Sequence, residues 1–134
     1  MKKRLLDDTQ NSFSVIDKAE KLQKKAASVG FDWQDSDQII KKIEEELNEV
    51  REAISNGEVQ EDLSGEIGDL FFSCINLARY YRINTETALQ NTNNKFIKRF
   101  NYMEDALRKK NISLLDADLE EMDRLWDESK TNTI

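Results

Sequence analysis

Residues 40–54, with the sequence IKKIEEELNEVREAI, carry the clearest helical period in the chain. Apolar side chains recur there at every third or fourth position, which is the spacing of one face of an α-helix. Asp35 and Ser36 precede the run as candidate N-caps, and Ser55-Asn56-Gly57 ends it. The sequence therefore predicts a helix whose core-facing stripe is Ile40, Ile43, Leu47, Val50 and Ile54.

Four further runs have the same period, and the breaks between them are short. Each stripe needs a partner for burial, so we expect an all-α fold, an amphipathic bundle of four to five helices. Gly30 is expected to cap the end of the first helix, and Cys74, inside the third stripe, to be a small buried side chain. The four stripes are Phe13, Ile16, Ala19, Leu22, Ala26 and Val29; Leu63, Ile67, Leu70, Cys74, Leu77 and Tyr81; Leu89, Thr92, Phe96, Phe100, Met103 and Leu107; and Leu115, Leu119, Met122 and Trp126.

The composition supports a helical fold and argues against several function classes. Pro is absent and there are only 4 Gly residues, so the turn residues that sheet folds need are missing. A net charge of -7 argues against partners such as nucleic acid or an anionic membrane. With no His and 1 Cys, the usual zinc sites and an internal disulfide are excluded. No apolar run resembles a signal-peptide core or a membrane span, and we expect a cytoplasmic protein.

The length of 134 residues predicts one domain. We expect residues 1–12 to be a frayed N-terminus, residues 13–130 to form the single all-α domain and residues 131–134 to be a C-terminal tail. The apolar stripes are narrow for helices of this length. Part of the core is therefore expected to be completed by a second copy of the chain, as a homodimer.

Two pairs of acidic residues stand at the same spacing on the second and third predicted helices. Glu46 and Glu49 flank one stripe as Glu66 and Asp69 flank the other, so antiparallel packing would bring the four carboxylates together. Such a cluster either protonates or holds cations. Oxygen ligands without His or Cys favour a hard cation, Mg²⁺ with Mn²⁺ able to substitute, and disfavour a di-iron site. Taken alone, the acidic run of the second helix is more typical of a solvated helix face. Gly68, between Glu66 and Asp69, weakens a helix there and indicates the close approach of a helix or a ligand.

Basic and aromatic residues on the fourth predicted helix complement this cluster. Lys95 and Arg99 lie one turn apart beside Phe96 and Phe100, where they could neutralise a polyphosphate held by metal ions. An ordinary solvated basic face explains the same spacing equally well. Trp126, at the end of the last stripe, is more typical of a core residue but could cover the edge of a base.

The sequence around these residues resembles that of the MazG nucleoside triphosphate pyrophosphohydrolases, a family of the all-α NTP pyrophosphatase superfamily. The similarity runs from about residue 20 to residue 130 without an obvious insertion. The paired E-E-x-x-E and E-x-G-D motifs are specific when both occur at this separation. The matching stretches are KAASVGFDW at 25–33, KIEEELNEV at 42–50, GEIGDLFF at 65–72, NLAR at 76–79, NKFIKRF at 94–100, and LEEM at 119–122 followed by Trp126.

The resemblance implies hydrolysis of a nucleoside triphosphate to a monophosphate and pyrophosphate by a homodimer. It implies Mg²⁺ at the two acidic pairs, Glu46, Glu49, Glu66 and Asp69, and a catalytic role for the acidic run on the second helix. Glu45 and Glu49 are both candidates to orient the attacking water. By the same resemblance, the phosphates would contact Lys42, Lys95 and Arg99, and the nucleotide would lie near Trp126.

Two departures from the family pattern keep a second class of function open. Many relatives carry another acid where this chain has Gly65, and some carry a Lys where Asp62 stands. The alternative is a non-catalytic helical module that binds a nucleotide or a protein through the same seam; a purely structural acidic bundle is a third. Within the superfamily, a dimeric dUTPase or a phosphoribosyl-ATP pyrophosphohydrolase shares the site, but the Gly-Phe-Asp-Trp and Asn-x-Lys-Phe segments favour the MazG family. Well-studied relatives carry two such domains in tandem, so the chain could be a stand-alone relative or one half of such a protein.

Overall fold

The computed structural model describes residues 3–9, 11–57 and 59–133, and all regular secondary structure in these ranges is helical. A short 3-10 helix, Leu5–Thr9, precedes five α-helices. The expectation of an all-α fold with four to five helices is confirmed. None of the described helices has the length and apolar character that a membrane crossing requires. The α-helices are α1 (Val15–Ala27), α2 (Ser36–Ser55), α3 (Gln60–Tyr80), α4 (Thr85–Lys109) and α5 (Leu119–Asn132).

Side-chain caps explain where three of these helices begin. The Asp35 carboxylate accepts a hydrogen bond from the Gln38 N–H at 2.9 Å, which confirms Asp35 as the N-cap of α2. Ser14 and Asp118 cap α1 and α5 in the same way. After α1 and α2 the chain turns through Gly30 and Gly57, whose φ angles of 91° and 64° lie in the left-handed region that glycine adopts without strain.

The chain divides into two compact units, and the first ends at Glu86. In this unit α2 packs on α3 and α1 contacts both α3 and the 3-10 helix. The connection between α2 and α3 is short, so the two helices form an antiparallel hairpin. The buried face of α2 carries a carboxylate among apolar side chains, and its members are Ile39, Glu46, Val50 and Ala53.

The apolar stripe predicted for α2 is only partly the buried one. Ile40, Leu47 and Ile54 are 41%, 44% and 63% exposed, because the face of α2 that packs inside this chain is rotated toward Ile39 and Glu46. On α3, Phe71 is 65% exposed and Cys74 is also exposed. The expectation of a buried Cys74 is therefore wrong for this chain.

The first helix is shorter than its apolar run. Phe13 is 96% exposed and Val29 is 65% exposed, because both lie outside α1. The inward face of α1 instead carries two polar side chains, Glu20 and Gln23. Within the N-terminal segment, Thr9 of the 3-10 helix is buried.

The second unit begins at Thr87 and has its own small core of Met103, Leu107 and Leu125. Asp118 caps α5, so Leu115 lies in the preceding turn and is 97% exposed rather than part of the last helical stripe. The helix continues to Asn132 with Ser129 buried, so the first two residues of the C-terminal tail predicted at 131–134 are helical. Ile134 lies outside the described residues.

Candidate functional site

Three carboxylates from two helices converge in the first unit. Glu46 of α2 and Glu66 and Asp69 of α3 each offer an oxygen, and these oxygens all lie within 4.8 Å of one another. The helical spacing puts Glu66 and Asp69 on one side of α3, and the antiparallel hairpin sets that side against Glu46. The structure thus brings together three of the four acidic residues that the sequence pairs.

The fourth carboxylate, Glu49, belongs to the same cluster. A hydrogen bond with Glu66, together with repulsion from Glu46, raises the pKa of Glu49 from 4.5 to about 7. Both causes require short distances between like-charged groups, which can share a proton but cannot all ionise cheaply. We define Glu46, Glu49, Glu66 and Asp69 as the acidic cluster.

Two oxygens of the acidic cluster are buried without a hydrogen-bond partner among the described residues, Glu46 Oε2 and Glu66 Oε2. Glu46 as a whole is only 5% exposed. A buried carboxylate oxygen without a donor is costly, and a cation between the helices would relieve that cost. The donor set fits a metal that prefers oxygen, because carboxylates supply all the ligands. The acidic cluster could therefore hold a metal ion.

Lys42 sits one turn before Glu46 on α2 and is half-buried. Its ammonium lies 2.9 Å from Glu46 Oε1 and 3.4 Å from Glu45 Oε1. The hydrogen bond with Glu46 raises the pKa of Lys42 above its ordinary value. Glu45, named from the sequence as a candidate to orient water, is exposed and is not among the three carboxylates that converge.

The remaining predicted site residues belong to the second unit. Lys95 is exposed, whereas Arg99 is half-buried, its Cζ 6.0 Å from the centroid of the Trp126 ring. Trp126 also contacts Phe96, with ring centroids 5.2 Å apart. The Nε of Arg99 is buried and has no partner among the described residues. That Lys95 and Arg99 face the acidic cluster stays a prediction.

Sequence reasoning missed a cleft of about 540 Å³ in the first unit. Trp33, which belongs to the GFDW segment of the family resemblance, lines this cleft. So do Asp32 and Arg79, which form an ion pair with Arg79 Nη2 2.6 Å from Asp32 Oδ1. The only sequence signal for this cleft was the Gly-Phe-Asp-Trp segment. Residue spacing could not predict that Asp32 of this segment pairs with Arg79, because Arg79 lies far along the chain.

Gly68 was expected to mark a close approach of a helix or a ligand. A Cβ built at Gly68 meets no atom of the described residues within 4 Å, so no described helix of the first unit explains the glycine. The ligand alternative stays a prediction.

The sequence of this chain is similar to a protein-family model and to several known proteins. Residues 34–103, which include the whole acidic cluster, match the family model described as MazG nucleotide pyrophosphohydrolase domain. The Thermotoga maritima protein named nucleoside triphosphate pyrophosphohydrolase/pyrophosphatase MazG is 38% identical over 116 residues, 87% of this chain and 44% of that protein. The Escherichia coli K12 nucleoside triphosphate pyrophosphohydrolase is 37% identical over 133 residues, 96% of this chain and 49% of that protein.

A third relative, the uncharacterized protein YabN of Bacillus subtilis, is 44% identical over 71 residues, 53% of this chain and 14% of that protein. The chain thus spans about half the length, 44% and 49%, of the two nucleoside triphosphate pyrophosphohydrolases that it matches. The family match covers more than half of the chain and contains both acidic motifs. The chain belongs to the MazG nucleotide pyrophosphohydrolase domain family.

Proposed function

We propose that this chain hydrolyses nucleoside triphosphates to nucleoside monophosphates and pyrophosphate, with Mg²⁺ or Mn²⁺ bound at the acidic cluster. The observation that carries the proposal is the convergence of carboxylates from α2 and α3 within 4.8 Å. Two of their oxygens are buried without a hydrogen-bond partner in the described part of the chain, an arrangement that is costly unless a cation binds. The names of the relatives support the same reaction.

In the reaction, a water oxygen forms a bond to the α-phosphorus while the bond from that phosphorus to the bridging oxygen breaks. Pyrophosphate leaves with the electron pair, and the water loses a proton to a carboxylate. Bound Mg²⁺ would supply positive charge to the phosphate oxygens and lower the pKa of a nearby water. The chain's own carboxylates hold the cation and orient that water.

Glu49 is better placed than Glu45 to orient the water. Glu49 is within hydrogen-bonding reach of Glu66 in the acidic cluster, whereas the Glu45 carboxylate is exposed and paired with Lys42 at 3.4 Å. On the substrate side, we propose that Lys42, Lys95 and Arg99 contact phosphates and that Trp126 lies near the nucleotide. The contact of Arg99 with the Trp126 ring supports a shared role for these two side chains.

The test is ³¹P NMR of the standard NTPs with the purified chain, with Mg²⁺ and with excess chelator. We expect a monophosphate and pyrophosphate only with Mg²⁺, and a loss of turnover of about 100-fold or more in Asp69→Asn. Glu44→Gln is the matched control, because Glu44 is an exposed acid of α2 outside the cluster. Release of orthophosphate would overturn attack at the α-phosphorus. Metal-dependent nucleotide binding without turnover would favour the non-catalytic module.

We also propose that the chain forms a homodimer through the exposed apolar face of α2. Ile40, Leu47 and Ile54 recur every seven residues and are each more than 40% exposed, which is the pattern of a helix that packs on a partner. Sedimentation at low concentration is expected to give a dimer, and Leu47→Asp a monomer. Leu115→Asp is the control, since Leu115 is exposed outside this face. A monomer in the unsubstituted chain would remove the proposal. The cytoplasmic location expected from the sequence stays a prediction.

A further inference from the structure

A short segment before α1 forms one side of the cleft in the first unit. This segment is the 3-10 helix Leu5–Thr9, which we call the N-terminal strap, and it packs on α1. Leu6 of the strap lines the cleft together with Leu22 of α1 and Trp33 of the connector between α1 and α2. Leu6 is also 46% exposed. Its side chain therefore borders both the cleft and the solvent.

One end of the strap is anchored by a buried side chain. Thr9 is 4% exposed, and its hydroxyl donates to the Leu6 carbonyl at 2.7 Å. The buried hydroxyl is thus satisfied within the strap, so its burial costs little. Leu5 and Leu6 are both exposed, so the rest of the strap has few buried apolar contacts.

The rest of the strap is connected to α1 by a weak ion pair. Asp8 Oδ2 lies 3.3 Å from Lys25 Nζ, and the two side chains are 47% and 36% exposed. Asp8 Oδ1 also pairs with Lys3 at 2.5 Å, a contact inside the N-terminal segment. Ion pairs at such exposure contribute little to stability and are weakened by salt. A single 3-10 turn is also marginal on its own. The strap therefore has a strong attachment at Thr9 and a weak one at Asp8.

We propose that the N-terminal strap is a gate of the cleft, which opens when the Asp8–Lys25 ion pair breaks while the rest of the first unit stays folded. Segments held by few buried contacts open locally at a much lower free energy than the whole fold. Opening withdraws Leu6 from the cleft wall and admits solutes to Trp33.

The gated space extends to the acidic cluster. Lys42 lines the cleft, and its ammonium lies 2.9 Å from Glu46 Oε1. Ser73 also lines the cleft, and its hydroxyl donates to the Asp69 carbonyl at 3.1 Å. A solute that enters through the gate therefore meets the Lys42 side of the acidic cluster. The inference concerns access to the cleft and is independent of the reaction proposed above.

Quenching of Trp33 emission tests the gate without any turnover. Trp33 becomes the only tryptophan in a Trp126→Phe variant, since the chain has 2 Trp residues. In this background we expect Asp8→Asn to raise the Stern–Volmer constant for acrylamide, a neutral quencher, about twofold or more. Asp7→Asn is the matched control. It removes the same charge one residue earlier, and the Asp7 carboxylate accepts from the Arg4 N–H at 2.9 Å, within the N-terminal segment rather than on α1.

Salt and a change in the cleft wall test the same gate independently. Raising the NaCl concentration should increase quenching in Asp7→Asn, because salt screens the Asp8–Lys25 ion pair, and should change Asp8→Asn much less. Leu6→Ala should increase quenching at low salt. Leu5→Ala should not, since Leu5 has a similar exposure but is not among the residues that line the cleft.

Two results would overturn the gate in variants whose circular dichroism shows that they are folded. One is an equal Stern–Volmer constant for Asp8→Asn and Asp7→Asn, which would mean that the ion pair does not hold the strap closed. The other is an equal constant for Leu6→Ala and Leu5→Ala, which would mean that the strap does not cover the cleft.

Discussion

The Lys42 ammonium lies 2.9 Å from Glu46 Oε1, one turn away on α2. Glu46 is 5% exposed, so Lys42 supplies the cationic partner that a buried carboxylate needs when no metal is bound. The same hydrogen bond raises the pKa of Lys42, so the lysine stays charged through the neutral range. A metal ion bound at Glu46, as proposed, would therefore compete with Lys42 for this carboxylate.

Lys42→Met is expected to change metal binding and turnover in opposite directions. Without the ammonium, Mn²⁺ meets a more negative cluster and should bind about three- to tenfold more tightly. NTP turnover should fall, because a positive charge beside the phosphates is lost. Electron paramagnetic resonance titration and kcat/KM measure the two effects.

The control for this change is Lys41→Met. Lys41 pairs with Asp37 at 3.2 Å, and both side chains are more than 70% exposed. We therefore expect Lys41→Met to change neither the Mn²⁺ affinity nor kcat/KM. If Lys42→Met weakened Mn²⁺ binding together with turnover, competition for Glu46 would be the wrong account.

Without metal, the contribution of Glu49 to the free energy of unfolding is expected to decrease as the pH rises from 4.5 to about 7. Because the folded state raises the pKa of Glu49, it binds this proton more tightly than the unfolded chain does, and that advantage disappears once the pH exceeds the raised value. Glu49→Gln should flatten this part of the profile. Melting temperatures with chelator at pH 5 and pH 8 measure the difference.

Glu52→Gln is the matched control, an exposed acid of the same helix. Added Mn²⁺ should restore stability at pH 8 in the unsubstituted chain and much less in Glu49→Gln. A profile of Glu49→Gln that matches the unsubstituted chain would contradict the close contact of Glu49 with Glu66 and Glu46.

The Asp32–Arg79 ion pair is expected to stabilise the first unit by about 1 kcal/mol at neutral pH. The hydrogen bond from Arg79 holds the pKa of Asp32 below its ordinary value of 3.8. The contribution is therefore complete above 3.8 and is lost as the pH falls through the lowered folded value. Asp32→Asn should lower the free energy of unfolding at pH 7. The difference between the variant and the unsubstituted chain should become smaller at acidic pH.

Urea unfolding of Asp32→Asn across this pH range checks that expectation, with Asp37→Asn as the control. Asp37 forms an ion pair in which both side chains are more than 70% exposed, so its replacement should lower the free energy of unfolding only slightly. An equal decrease in the free energy of unfolding for Asp32→Asn and Asp37→Asn would show that the burial of Arg79 does not strengthen its ion pair with Asp32.

Gly68→Ala is expected to stabilise the protein by about 0.5 to 1 kcal/mol, because glycine weakens a helix interior and an added Cβ meets open space. Gly65→Ala should give a similar gain, since Gly65 is also inside α3 with open space around it. Chemical denaturation measures both. A loss of stability for Gly68→Ala alone would indicate a group close to Gly68 that is not among the described residues.

Local chemistry made the helix boundaries predictable where a side chain or a glycine determines them. Asp35 caps α2 and Gly30 adopts the left-handed conformation, as the sequence indicated. The start of α5 was missed, because the apolar spacing of Leu115 continues the stripe while the Asp118 cap begins the helix later.

Burial was harder to predict than helix formation. A stripe identifies an apolar face but not what covers it, so the sequence predicts Leu47 and Ile54 of α2 to face the core although this chain leaves both exposed. The convergence of Glu46 with Glu66 and Asp69 was predictable, because helical spacing and an antiparallel hairpin suffice to produce it. The cleft was not, since Gln23, Trp33 and Arg79 come from three separate segments with no shared period.

Glu46 lies on the buried face that joins α2 to α3, so one residue serves both the hairpin and the acidic cluster. Selection on abundance and selection on activity would therefore disagree at the acidic cluster, if it holds a metal ion as proposed. Neutral replacements there would relieve repulsion and let metal-free protein accumulate, but they would also remove the proposed metal ligands. A shortage of that metal would then lower the stability of the fold as well as the activity.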